Sequence, residues 1–330
     1  MSFDADGNPL NRPAGPARQT GLGLPRRGRA GASLLAIQPM RTVAQIHPAS
    51  RDDIADLVTR RPLPGPGVAQ VDPFLFLNHH GPQVYPPNNR GLPFGPHPHR
   101  GFETVTFVLE GELAHYDSGG HESVIGAGGV QWMTAGAGLV HAEVSPPAFK
   151  RDGGLLEILQ LWVNLPARLK MTPPRYTGLQ REQIPHLPLP GSAGELALVS
   201  GEFDGREGPI RSLTGVSMAV VHLAAQARAE LPAPRGRNVF FYVARGAVTV
   251  GSSPVEPWRL VEFRDDGDSV AVEAGPDEAT LLFGHADPIR EPVVAHGPFV
   301  MNSAEEIRQA VLDYQAGKFA GEGRLLDVGQ

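Results

Sequence analysis

The chain has 330 residues, a formal net charge of −6 and no cysteine. Without cysteine there are no disulfides, no thiolate metal ligands and no cysteine nucleophile, and the acidic balance gives no bulk-charge case for direct nucleic-acid binding. The length predicts about two domains, and no apolar run approaches the roughly 18–20 residues needed to span a bilayer.

Residues 1–40 scatter Arg12, Arg18, Arg26, Arg27 and Arg29 among Gly, Pro and Ala without periodicity, which predicts a disordered N-terminal tail. The apolar stretch Ala32–Ile37 after Arg26-Arg27 is too short for an export signal, and Met40 is a candidate start of translation. Arg41–Ile46 reads as a strand, Pro62, Pro64 and Pro66 mark a loop, and Asp72–Leu77 is a buried apolar segment. His79 and His80 fall in a Pro/Gly-rich stretch and are expected to be solvated; His115 and His121 are expected in or near a hairpin turn at Gly119-Gly120.

The stretch from Gly95 to Pro146 carries the chemistry. It holds two pairs of metal-ligand types, His97 with His99 and His141 with Glu143, each spaced i, i+2. Residues two apart on a strand share a face, about 6–7 Å apart. The β-branched and aromatic run Thr104–Leu109, followed by Gly111, Gly119, Gly120, Gly126, Gly128 and Gly129, reads as hairpins that return the second pair beside the first. Three imidazoles and a carboxylate suit a borderline divalent metal: Fe, Mn, Co, Ni, Cu or Zn.

Leu155–Val163 reads as a buried strand, and Pro166 to Pro190 as the interdomain connection. Trp132 and Trp162 are candidates for a pocket wall or for the core. A shift of 135 residues lays Arg100-Gly101 on Arg235-Gly236 and Gly111 on Gly246, so residues 195–290 read as a second copy of the first domain. The same shift puts His97 on Pro232, His99 on Pro234 and Glu103 on Asn238, so the copy has no metal site and His222, His285 and His296 are structural or surface residues. Ser303-Ala304-Glu305-Glu306 is a capping box, and Ile307, Val311 and Tyr314 give the following helix one apolar face, with Lys318 near its C-terminal end.

His97, His99, Glu103, Gly111, Gly138 and His141 resemble the cupin pattern. More closely, DPFLFLNHH (72–80), HPHRGFETVTFVLEG (97–111), QWMTAGAGLVHAE (131–143), LQLWVNLP (159–166) and REPVVAHGPFVMN (290–302) resemble the pirin family, over roughly residues 42–316. The resemblance implies an all-β fold of two tandem cupin domains, each a jelly-roll β-sandwich or barrel, with a short C-terminal helix. The expected boundaries are 41–170 for the domain with the metal, 171–295 for the domain without it, and 296–330 for a crossing segment and helix.

Pirins hold one non-haem iron through three histidines and a glutamate, which fall here on His97, His99, His141 and Glu143. Glu103 then supports the fold or the ligands without binding metal. Fe(II) is the implied cofactor, with Mn, Ni, Co, Cu or Zn open. Some pirins cleave quercetin as 2,3-dioxygenases, which implies a flavonol-like aromatic substrate, O₂, release of carbon monoxide and Glu143 as general base; Phe74, Phe94, Phe102 or Trp132 would wall the pocket. Others bind transcription regulators and metabolic enzymes under control of the iron's redox state, which implies a regulatory protein partner and makes Arg100 a reporter of the metal's charge. A structural zinc site is the third reading. A monomer is expected, and the Ala/Gly/Pro/Arg-rich style of a bacterial protein makes the cytoplasm the expected compartment.

Overall fold

The computed structural model describes residues 39–319. The tail expected over 1–40 lies, but for its last two residues, outside them. No helix among the described residues is long and apolar enough to cross a membrane.

Strand Phe102–Glu110 shows why the fold is built from two-sided sheets. Val105 and Phe107 alternate with Thr104, Thr106 and Val108, and both rows are buried. This strand sits inside a seven-stranded antiparallel sheet that runs, edge to edge, Arg175–Leu179, Val130–Thr134, Phe102–Glu110, Gly154–Asn164, Phe74–Tyr85, Thr59–Leu63 and Ser50–Arg51. A second seven-stranded sheet runs Val43–Pro48, Arg259–Phe263, Asn238–Arg245, Ala279–Ala286, Ser217–Leu223, Gly194–Ser200 and His186–Pro188. Its central strand Asn238–Arg245 is the counterpart of Phe102–Glu110, and Gly111 (φ 82°) and Gly246 (φ 71°) close the two strands in the left-handed conformation that glycine adopts without a Cβ penalty.

The two large sheets pack face to face. Val105, Phe107, Val130, Trp132, Leu159 and Leu161 from one meet Val199, Val220, Phe240, Tyr242, Leu260 and Leu282 from the other in one apolar core. Each such side chain contributes about 2 kcal/mol when fully buried, so neither half is built to stand alone. Phe74 belongs to this core and not to a pocket wall, and of the two places open to Trp132 the core is the one observed.

Behind each large sheet lies a four-stranded one that closes it into a barrel. In the first half it runs Phe94–His99, Leu139–Val144, Glu112–Asp117 and Glu122–Gly126; in the second, Arg228–Pro232, Ser269–Ala274, Val248–Val250 and Ser253–Val255. The chain is therefore all-β with two cupin domains and a short C-terminal helix.

Both ends of the described chain cross between the halves. The strand expected over Arg41–Ile46 is observed as Val43–Pro48, and it pairs with Arg259–Phe263 at the edge of the second sheet, while Ser50–Arg51 already belongs to the first. At the other end, hairpin Val294–His296/Phe299–Met301 and helix Ala304–Gln315 return to the first half. Phe299, Met301, Ile307, Ala310 and Phe319 cover Val140, Ala142 and Val144 on the outer face of the four-stranded sheet. The helix starts at Ser303, whose hydroxyl accepts the Glu306 N–H at 3.2 Å, as the capping motif predicts.

Candidate metal centre

His97 and His99 lie on edge strand Phe94–His99, and His141 lies on its neighbour Leu139–Val144, directly opposite His97. The antiparallel register and the two-residue period put all three rings on the barrel's inner face. Their nitrogens lie within 4.8 Å of one another. Nitrogens bound to one ion at about 2.1 Å sit within ~4.2 Å of each other, so only a small adjustment separates this cluster from a coordination shell.

The surroundings select the ligating nitrogens. His97 Nδ1 lies 2.7 Å from the Gly95 carbonyl and His99 Nδ1 3.3 Å from the Pro298 carbonyl. A carbonyl only accepts, so each Nδ1 carries the hydrogen and each Nε2 keeps its lone pair for a metal. Both ring nitrogens of His141 are buried without a partner among the described residues. Burial, with the neighbouring imidazoles, pushes His99 and His141 well below the ordinary histidine value and keeps them neutral. Two buried, neutral imidazoles at His99 and His141, with His97 Nε2 beside them, are donors that suit a divalent ion, so the set fits a metal.

Glu143 is buried on the same strand as His141 but is not one of the three clustered groups. A register irregularity between His141 and Glu143 places it opposite Phe94 on one side and His115 on the other. The Thr106 hydroxyl donates to Glu143 Oε1 at 2.8 Å and the Gln160 amide donates to Oε2 at 2.5 Å. Each oxygen thus accepts one hydrogen bond and retains a lone pair. Glu103 lies on the strand that bears Thr106 but at the opposite parity; it is buried, accepts a hydrogen bond from Thr134 at 2.6 Å, and is pushed above the usual carboxylate range by burial.

Several residues stand where the sequence did not put them. His79 and His80 are not solvated: both are fully buried in strand Phe74–Tyr85, because the Pro/Gly-rich stretch continues the sheet. His80 bonds Thr59 at 2.8 Å. His79 sits between the halves, taking the Tyr242 hydroxyl on Nδ1 at 2.9 Å and donating from Nε2 to Glu157 at 2.8 Å; Arg245 and its second partner Glu110 complete this network. His115 is not in a turn but buried in strand Glu112–Asp117, stacked on Tyr176 with ring centroids 3.9 Å apart and 5.5 Å from the His141 ring. Asp117 holds His115 at 3.0 Å and the half-exposed His121 beside it. Trp162 stacks on Phe76 and stands edge-on to His99, with Phe102 beside both.

His115, Asp117, Thr106 and Gln160 support the site and had a sequence signal that was not used. His115-x-Asp117 repeats the i, i+2 spacing of the ligand pairs, and Gln160 and Glu157 are polar residues inside an apolar strand. The attachment of the C-terminal segment had no such signal. Arg100, next to ligand candidate His99, donates to the Ala137 carbonyl at 2.7 Å and to Asp313 on the helix at 2.8 Å, and lies over the Phe319 ring. The fully buried Lys170 ammonium donates to the carbonyls of Gly101 and Val300 and to Asn164, and burial pulls it down to about 8. Gly101 has φ +89°, and a Cβ there would lie 2.0 Å from the Val300 oxygen, so only glycine lets the hairpin dock this closely.

Comparison with known proteins agrees with this architecture. The Pirin family model matches residues 56–163, and the model of the Pirin C-terminal cupin domain matches residues 218–320. A Pseudomonas aeruginosa protein that bears a provisional quercetin 2,3-dioxygenase name is 41% identical over 249 residues, which is 76% of this chain and 87% of that protein. The crystal structure of quercetin 2,3-dioxygenase from Acinetobacter baumannii superposes with a TM-score of 0.81 at 32% identity, covering 86% of this chain and 99% of that one. The Escherichia coli bacterial pirin YhhW, solved in complex with nickel(II), shares the fold with a TM-score of 0.59 at 21% identity, covering 74% of this chain and 99% of that one.

Proposed function

The chain belongs to the pirin family, and from that premise we propose that it is a metal-dependent dioxygenase that opens the central ring of flavonols such as quercetin. The observation that carries the reading is the set of three histidines, two buried and His97 partly buried, whose ring nitrogens converge, with a buried carboxylate held by two donors two residues beyond His141. In this reading His97, His99, His141 and Glu143 hold one ion, with Fe(II) the first choice. Such an ion, when bound, supplies the one-electron chemistry by which O₂ reacts with a closed-shell organic substrate.

The protein's own groups do the rest. Glu143 accepts the proton of the flavonol 3-hydroxyl, and the Thr106 and Gln160 hydrogen bonds hold its carboxylate in place. Trp162, partly exposed beside His99, offers an aromatic face to a flat substrate, and the fully buried Phe102 packs behind it. His97, only partly buried on an edge strand, marks the side of entry. Ring opening consumes one O₂ and releases carbon monoxide.

A second reading has its own observation. Arg100 links the strand of His97 and His99 to Asp313 on the C-terminal helix, so charge at the metal is coupled to an exposed surface. The chain would then be a metal-sensing regulator that binds a protein partner. Anaerobic reconstitution with Fe(II), followed by quercetin and O₂, separates the two. The dioxygenase reading expects carbon monoxide release that is lost, together with the metal, in His97→Ala. Tightly bound iron without turnover would favour the regulator, and metal retained at full stoichiometry in both His97→Ala and Glu143→Ala would refute the ligand set.

A further inference from the structure

An apolar groove of about 540 Å³ runs along the C-terminal helix Ala304–Gln315. It is lined by Ile307, Val311 and Leu312 of the helix and by Val294, Ala295 and His296 of the hairpin before it. Leu312 is 57% exposed, and Val294 and Val311 are partly exposed, so this apolar surface is open to an occupant. Exposed apolar surface of this kind, continuous between two elements, marks a place where another segment packs.

The strand that borders the groove also has a free edge. Val294, Ala295 and His296 pair with Met301, Val300 and Phe299. The Val300 N–H donates to the Arg100 carbonyl at 3.0 Å, and the Val300 carbonyl accepts from Lys170 at 3.0 Å. Both backbone groups of Val300 therefore turn away from Ala295. Residues opposite each other in an antiparallel pair turn the same way, so the Ala295 N–H and C=O point outward. No strand meets that edge among the described residues. An unpaired strand edge beside an apolar groove is the arrangement that binds an extended peptide by strand addition.

We propose that the occupant is this chain's own C-terminal segment, residues 325–328, added as a third strand to the hairpin. Phe319 packs on Phe299 with ring centroids 5.9 Å apart, and Phe299 is paired with His296, so the chain leaves Phe319 beside the groove. The seven residues from there to Leu326 reach ~23 Å when extended, and Gly321 and Gly323 permit the turn back. Leu325-Leu326-Asp327-Val328 follow. Pairing Asp327 with Ala295 turns Leu326 and Val328 to the side of Val294 and His296, onto Ile307, Val311 and Leu312, and leaves Leu325 and Asp327 on the opposite face. A short tether makes this docking intramolecular, with a high effective concentration. The groove contains none of the metal-ligand candidates, so either reading can fail without the other.

The test is hydrogen exchange at the Ala295 amide in the metal-loaded full chain and its variants. Exchange in the wild type is expected to be at least tenfold slower than in Leu326→Asp/Val328→Asp, and unchanged on tenfold dilution. Leu312→Asp, on the groove itself, is expected to raise exchange as far as the double variant does. Leu325→Asp, on the opposite face of the added strand, is expected to leave exchange as it is in the wild type. Unchanged metal content and melting temperature show that the variants are folded. Equal exchange in the wild type and the double variant, or the same rise from Leu325→Asp, would overturn the proposal. Protection that falls on dilution would assign the groove to a second copy of the chain and overturn it as well.

Discussion

The two barrels share one strand plan and differ inside. In the first, Thr104 and Thr106 face the interior, and Thr106 holds Glu143. In the second, the equivalent positions are Val239 and Phe241, which pack with Val221, Val243, Leu281 and Phe283. Where the first barrel has His97 and His99, the second has Pro232 and Pro234. A polar interior is tolerated only where its groups find partners, and a filled apolar one stabilises the fold. The difference teaches a division of labour: the second barrel supplies packing, the first spends part of its packing on a site, and the shared core between the large sheets lends stability from one to the other.

The sharpest way to break that comparison is to hollow out the second barrel. Phe241→Ala should destabilise the protein by ~3–5 kcal/mol, through lost burial and the cavity left behind. If the barrels divide the labour as argued, metal affinity of the folded variant stays unchanged. Chemical denaturation with a metal-content assay checks both.

The interface between the halves responds to acid. Burial opposes ionisation of Glu157, but the His79 and Arg245 hydrogen bonds prevail and hold its carboxyl below the ordinary 4.5. A depressed folded value means that Glu157 stabilises the protein above about 4.5 and that this contribution is lost as pH falls through the folded value. Glu157→Gln should cost ~2 kcal/mol near neutral pH and flatten that acid limb. A denaturation series from pH 7 down to 3 measures both effects.

Within the first barrel, Thr106→Val keeps the shape and removes the donor to Glu143 Oε1. It should lower metal affinity by ~10–100-fold, as loss of a group that orients a ligand does, with little change in stability. Competition with a chelator reads that affinity. Smallest of all, Ser303→Ala removes the helix cap far from both barrel interiors. It should cost ~1 kcal/mol, seen as a modest fall in melting temperature, without changing metal content.

The histidine cluster was legible because alternation on a strand is local: His97-x-His99 declares a shared face without knowledge of the fold. The same spacing in His141-x-Glu143 did not foretell the register irregularity that leaves Glu143 outside the cluster. The duplication was legible because turn glycines recur at Gly111 and Gly246. What could not be read was long-range choice. Nothing in Val43–Pro48 says that it joins the edge of the second sheet, and nothing around His79 says that its strand continues through Gly81-Pro82 into a buried row. Arg100 and Lys170 each have one partner on the C-terminal segment, Asp313 and Val300, 130 or more residues away, and only the assembled fold brings them together. Glu103 shows the converse: a glutamate two residues from Val105 in a ligand-rich stretch, yet turned by strand parity toward Thr134.

The central claim is that the first barrel is a metal centre with Glu143 as its proton acceptor. The most direct test is carbon monoxide released per O₂ consumed when Fe(II)-reconstituted wild type and Glu143→Gln are given quercetin, with iron content measured on the same samples. The account predicts near one-to-one release by the wild type and loss of release in a Glu143→Gln variant that still carries iron. Equal release by both proteins, or none from an iron-loaded wild type, would contradict it.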